Sequence, residues 1–279
     1  MREHFCAFSF VDRITSLEAG VSIRGCYVIP PRVDTFPVSL AAEAVGQLAA
    51  WAAMESVGFS HRPVAGIAGK IELLSTVRPG QVLELAADLE SVDTDTVGYS
   101  GTAWADGTPV IRLTDCVGPM VPLEDFDDPE DVRKHCHKLQ SIGAAPARFQ
   151  GLPTLALETK ECVTAELARA SLRVPSTAPF FEDHFPRRPV FPGTLLVHAN
   201  LQAAAILADN RLSSTGQSWL ARTISDVKLR SFISPGETVD LVVRPTAWSE
   251  HSRSVAVESR IGQRLVGTAV IQFSLAAIA

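Results

Sequence analysis

The feature that most constrains the fold of this chain is an internal repeat. Phe36-Pro37-Val38-Ser39-Leu40-Ala41-Ala42-Glu43-Ala44-Val45-Gly46-Gln47 aligns with Phe191-Pro192-Gly193-Thr194-Leu195-Leu196-Val197-His198-Ala199-Asn200-Leu201-Gln202, a shift of 155 residues. Val77-Arg78-Pro79-Gly80-Gln81-Val82-Leu83-Glu84-Leu85 recurs as Ile233-Ser234-Pro235-Gly236-Glu237-Thr238-Val239-Asp240-Leu241, a shift of 156. One residue is therefore gained between the blocks. Lys70-Ile71 and Lys228-Leu229 precede the two Pro-Gly blocks at roughly matching distances. In a chain of 279 residues, two copies of this period leave little else to build with.

Each copy reads the same way. A short strand region leads through a loop into an Ala- and Leu-rich helix, from about Ser39 to Val57 and from about Thr194 to Asn210. Segments of apolar alternation follow, such as Val82-Leu83-Glu84-Leu85-Ala86 and Ser254-Val255-Ala256-Val257-Glu258, broken by Pro-Gly and Asp106-Gly107. That pattern predicts one long helix and an antiparallel sheet, twice. Both helices are apolar nearly all round, so each must be wrapped on most sides. Between the copies, six of the eight residues Glu124–Asp131 are acidic. This stretch reads as a solvated connector. The expected division is 1–123, a polar linker 124–153, and 154–279.

With 46% hydrophobic and 20% charged residues, the composition supplies an ample core. A net charge of −6 gives no support to nucleic-acid binding. No run reaches the roughly eighteen apolar residues of a membrane span. Met1-Arg2-Glu3-His4 lacks the basic-then-apolar order of a leader, so a cytoplasmic protein is expected. The five cysteines form no CxxC pair and argue against a disulfide framework. His135-Cys136-His137 has no second Cys/His group at ligand spacing, so no metal is expected there.

The chemistry concentrates in Asp183-His184-Phe185-Pro186-Arg187-Arg188-Pro189-Val190-Phe191-Pro192-Gly193-Thr194-Leu195. Prolines stiffen the loop that carries His184. Gly193 permits close backbone approach. The helix that starts behind it offers free N–H groups to an oxygen that carries negative charge. A held imidazole beside an oxyanion site is equipment for removing a proton next to a carbonyl.

These residues resemble the 3-hydroxyacyl-[acyl-carrier-protein] dehydratases of bacterial type II fatty acid synthesis. His184-Phe185-Pro186, Pro189, Pro192-Gly193, Ala199 and Gln202 carry the likeness, and Phe10-Val11-Asp12-Arg13-Ile14 is similar to the family's first strand. The resemblance implies an α+β hotdog fold, here a double hotdog: two antiparallel sheets, each around a long central helix. One departure is informative. Where the family has its acidic residue this copy has His198, while the first copy has Glu43 at the matching place. The first copy lacks the histidine, having Ile29 there, and has Val38 in place of Gly193. Since the family builds each site across a two-fold interface, His184 and Gly193 of one half would face Glu43 of the other. The remaining pseudo-site would be dead.

The resemblance then implies a hydro-lyase without cofactor or metal. His184 would take the C2 proton of a 3-hydroxyacyl thioester, Glu43 would protonate the departing 3-hydroxyl, and the Gly193 N–H would polarise the thioester carbonyl. Phe185, Pro192, Gln47, Arg187 and Arg188 would bind substrate, the two arginines through the phosphate of an acyl carrier protein or coenzyme A. Double-bond isomerisation could follow, in fatty acid or polyketide-type lipid synthesis, and the double hotdogs could pair as a homodimer. The alternatives are a hotdog thioesterase and a non-catalytic acyl-binding subunit.

Overall fold

The computed structural model describes residues 4–145, 148–163, 166–209 and 217–277. The first half holds β1 (Arg13–Glu18), β2 (Ser22–Val28), α1 (Val38–Ser56), β3 (His61–Pro63), β4 (Ile67–Leu73), β5 (Val82–Val92), β6 (Thr96–Ala105) and β7 (Thr108–Pro122). A connecting helix α2 spans Pro129–Ser141. The second half holds β8 (Leu157–Val163), β9 (Leu167–Arg173), α3 (Gly193–Asp209), β10 (Gln217–Leu229), β11 (Thr238–Trp248), β12 (Ser252–Ile261) and β13 (Arg264–Ala277). Asn210, the expected end of the second helix, lies outside the described residues.

The strand order is β1-β2-β5-β6-β7-β4-β10-β13-β12-β11-β9-β8. It reads the same from either edge once each strand of the first half is matched to its repeat in the second. β5 and β11 even share one alternation of buried and exposed residues along all 11 positions. The expectation of two separate sheets needs correction. β4 and β10, which follow the helix in each copy, pair antiparallel with Ile71 opposite Ile224. They merge the halves into one continuous sheet. Left apart, both would present open rows of N–H and C=O groups.

α1 has no side-chain cap and no acidic residue in its first turn. Its stability comes from burial: Leu40, Ala44, Val45, Leu48 and Ala52 are fully enclosed. It packs on β2, β5, β6 and β7 and against α3, which lies on β8 to β13. The connector is not a solvated linker. Asp128 caps α2 by accepting the Glu130 and Asp131 N–H groups, with Pro129 in the first turn. Val132, His135, Cys136 and Leu139 make its buried face, and Phe126 and Phe149 anchor its flanks. Among the described residues no helix is long and apolar enough to cross a membrane.

Candidate active site

A cavity of about 720 Å³ opens between the halves. His184, Phe185, Gly193 and Arg188 reach it from the second half, and Glu43 and Gln47 from the first. Pro192 and Arg187 do not line it. Pro192 instead starts α3, its carbonyl accepting the Leu195 and Leu196 N–H groups. The Arg187 guanidinium is spent on the Glu124 carbonyl (2.8 Å) and the Asp128 carboxylate (2.9 Å).

The short 3-10 turn Pro179–Glu182 delivers His184, whose N–H donates to the Phe180 carbonyl at 2.9 Å. The ring stacks on Phe185, with centroids 4.1 Å apart. Nδ1 lies 2.9 Å from the Val190 carbonyl. A carbonyl only accepts, so Nδ1 carries the hydrogen and Nε2 is left with its lone pair. Burial holds the His184 pKa below its ordinary value; the Arg62 cation adds to this, while the Glu43 charge and the Val190 bond oppose it. The imidazole is thus neutral and basic at neutral pH.

Glu43 sits on α1 and is not the lone carboxyl that its Ala-rich helix suggests. Thr194 Oγ1 donates to its Oε2 at 2.6 Å, across the junction of the halves. Gln47 Nε2 donates to its Oε1 at 2.9 Å from one turn further along α1. Gln47 is itself locked, donating to the Phe8 carbonyl and accepting the Phe10 N–H.

Gly193 begins α3, so its N–H has no intrahelical acceptor and meets the positive end of the helix dipole. A Cβ there would lie 2.4 Å from Leu229 Cδ1 and 3.3 Å from Ala65 Cβ. Glycine is needed for the close approach.

Sequence reasoning missed three groups. Thr194 follows the Pro-Gly pair but carried no motif of its own. Arg62, on β3, stands 3.8 Å above the Phe185 ring and 3.5 Å from Asp127. Asp183 is buried beside His184. Arg62 carried no sequence signal, and Asp183 opens the His184 motif without a role that the sequence assigns. At the mouth, Arg188 lies 5.0 Å from the Phe232 ring centroid and 5.4 Å from that of Phe126, with no carboxylate partner among the described residues.

At the pseudo-site, Ile29 is fully buried and His198 is half-buried. A void of about 30 Å³ lined by Ser39, Ile71, Thr194 and Ile224 touches neither of them. His135 and Cys136 face inward from α2 while His137 is exposed, so the three do not converge.

A sheet of this order with a helix against each half, and a histidine and a carboxylate lining one cavity, is the arrangement that the likeness to the hotdog dehydratases leads one to expect. The family model of the ApeI-like dehydratases matches residues 160–265. The 3-hydroxyacyl-[acyl-carrier-protein] dehydratase FabZ of Rickettsia rickettsii is 38% identical over 100 residues, which are 34% of this chain and 68% of that protein. The FabZ of Lactiplantibacillus plantarum is 31% identical over 98 residues, 35% of this chain and 67% of that protein. The chain belongs to the FabZ family of 3-hydroxyacyl-[acyl-carrier-protein] dehydratases. Solved structures of similar fold include the tesB protein of Mycobacterium avium subs paratuberculosis (TM-score 0.56, 10% identity, 94% of this chain and 96% of that one). The 12:0-ACP thioesterase of Umbellularia californica has TM-score 0.53 at 10% identity, covering 91% of this chain and 94% of that one. At such identity the likeness concerns the fold alone.

Proposed function

We propose that the chain is a double hotdog with a single working site, which reversibly dehydrates a 3-hydroxyacyl thioester to the trans-2-enoyl thioester. The halves are 1–123 and 154–279; the connector's start bonds Arg187 of the second half, and its helix α2 lies against β1 of the first. The observation that carries the reading is the hydrogen bond between Thr194 and Glu43, which brings the carboxyl of one half to the glycine and histidine loop of the other.

His184 Nε2 takes the C2 proton. Its neutral state and fixed tautomer supply the lone pair. The Gly193 N–H and the start of α3 stabilise the enolate-like oxygen. Glu43, in the protonated form that reacts, bonds the 3-hydroxyl and supplies the proton with which it leaves as water. The imidazolium then returns a proton to Glu43, which resets the site. Run backwards, the same atoms hydrate an enoyl thioester. Arg188, held over two aromatic rings at the mouth, is suited to the phosphate that acyl carrier protein and coenzyme A both present.

The test is conversion of a short trans-2-enoyl thioester, followed by loss of enoyl absorbance with a thiol reagent present. Hydration without free thiol supports the reading. Thiol release without hydration would replace it with a thioesterase, and neither activity would leave an acyl-binding subunit.

A further inference from the structure

The chemistry above leaves one set of contacts unused. Asp183 directly precedes His184, and its side chain is 4% exposed. Its Oδ1 accepts the Phe5 N–H and its Oδ2 the Phe8 N–H, each at 2.7 Å. His4 Nδ1 stands 3.4 Å from Oδ1. The Phe8 carbonyl accepts Gln47 Nε2 at 2.9 Å, and the Phe10 N–H donates to Gln47 Oε1 at 2.8 Å. Residue Phe8 is therefore gripped on one side by the neighbour of the base. On the other side it is gripped by the amide that holds Glu43. Its ring stands edge-on to the His184 imidazole, centroids 5.9 Å apart.

The connector closes this segment from outside. His135 of α2 stacks on the Phe5 ring at 4.0 Å. Arg148 donates to the Phe5 carbonyl. His4 Nε2 lies 3.0 Å from both carboxylate oxygens of Asp127. A buried carboxylate is costly unless its oxygens are satisfied. Here a backbone N–H satisfies each oxygen, so Asp183 fixes a chain segment.

We propose that Asp183 is a positioning residue for His184, and that residues His4–Phe10 form a strap holding this base of one half in register with Glu43 of the other. The proposal rests on the catalytic reading above. His184 and Glu43 stand on different halves, and proton transfer between substrate and each group requires both at reach together. The strap is the segment that bonds to the neighbours of both.

Asp183→Asn tests it. An amide nitrogen would face one of the two N–H donors, so the grip on either Phe5 or Phe8 is lost. The charged groups facing His184 are Glu43 from α1 and Arg62 from β3; His4 of the strap and Asp127 of the connector stand behind Arg62 and Asp183. A loosened Phe8 admits water to the imidazole and relieves the burial that lowers its pKa. The expected result with a trans-2-enoyl thioester is a kcat lower by on the order of ten- to a hundredfold, with KM nearly unchanged. The acid limb of the kcat/KM profile moves to higher pH. A purely structural role would lower the melting temperature and the active fraction, but leave the acid limb in place.

Wild-type kcat and acid limb in Asp183→Asn, with His184→Ala inactive, overturn the strap proposal alone. A wild type no more active than His184→Ala overturns the catalytic reading and the strap with it. If Asp183→Asn does not fold, Phe8→Ala takes the same measurement. The same kcat loss and shifted limb support the proposal, and wild-type values overturn it.

Discussion

Thr194 Oγ1 donates to Glu43 Oε2 at 2.6 Å, joining the start of α3 to the second turn of α1. The two residues are 151 positions apart and belong to different repeats. A carboxyl held by a neighbouring hydroxyl and by Gln47 presents one fixed orientation to the cavity. The orientation of the Glu43 carboxyl is thus set by the half that carries His184.

Thr194→Val keeps the shape and removes the hydroxyl. The loss of a hydrogen bond to an acidic group costs about 1.5 kcal/mol or more. The expected outcome is a kcat/KM lower by about tenfold with a trans-2-enoyl thioester. Thermal unfolding should shift only slightly, because α3 remains buried along Leu195, Ala199 and Ala203.

Gly193→Ala places a methyl 2.4 Å from Leu229 Cδ1. Leu229 is a flexible side chain at the cavity wall, so it yields into the substrate's space and tilts the N–H away from the carbonyl. Loss of one oxyanion donor costs on the order of a hundredfold in kcat. The double variant Gly193→Ala with Leu229→Ala should recover a large part of that loss, which steady-state kinetics of the two variants would show.

Burial and the Arg62 cation both lower the His184 pKa. Arg62→Met removes the cation, so the pKa rises and the acid limb of kcat/KM moves to higher pH. An unmoved limb would exclude Arg62 from the electrostatics of the base.

His4 titrates oppositely. Burial pulls its pKa down, but hydrogen bonds and charge from Asp127 and Asp183 outweigh this and hold it at about 9. A raised pKa means that the folded state binds the proton more tightly. The stabilisation is complete below the ordinary value of 6.5 and is lost as pH rises through about 9. The melting-temperature gap between wild type and His4→Gln should be widest near pH 6 and should close above pH 9.

Much of this was legible in the sequence because the repeat fixes what must be equivalent. The helices begin and end within a residue of the positions read from Ser39 and Thr194, as far as the described residues reach. Which half lacks the histidine and which lacks the acid is visible at Ile29 and His198 alone. The sheet was misjudged because a central strand and an edge strand share one alternation pattern; only the Ile71–Ile224 pairing distinguishes them. The connector was misjudged on composition. Asp128-Pro129-Glu130 is a helix start that sequence could have given, but six acids obscured the inward row of Val132, Cys136 and Leu139. Arg62 and Asp183 were out of reach, because their partners are remote in sequence and appear only when strap, connector and halves close together.

The central claim is that one chain holds one complete site, split between its halves. The most direct measurement mixes two single variants, His184→Ala and Glu43→Gln, by co-expression, and follows hydration of a trans-2-enoyl thioester. Each variant alone should lose on the order of a hundred- to ten-thousandfold in kcat. The double variant should be little worse, because the two groups act as a unit. The mixture should stay as inactive as its parts, since no chain in it has both groups. Recovery of activity in the mixture would mean that His184 of one chain works with Glu43 of another, and would contradict the account.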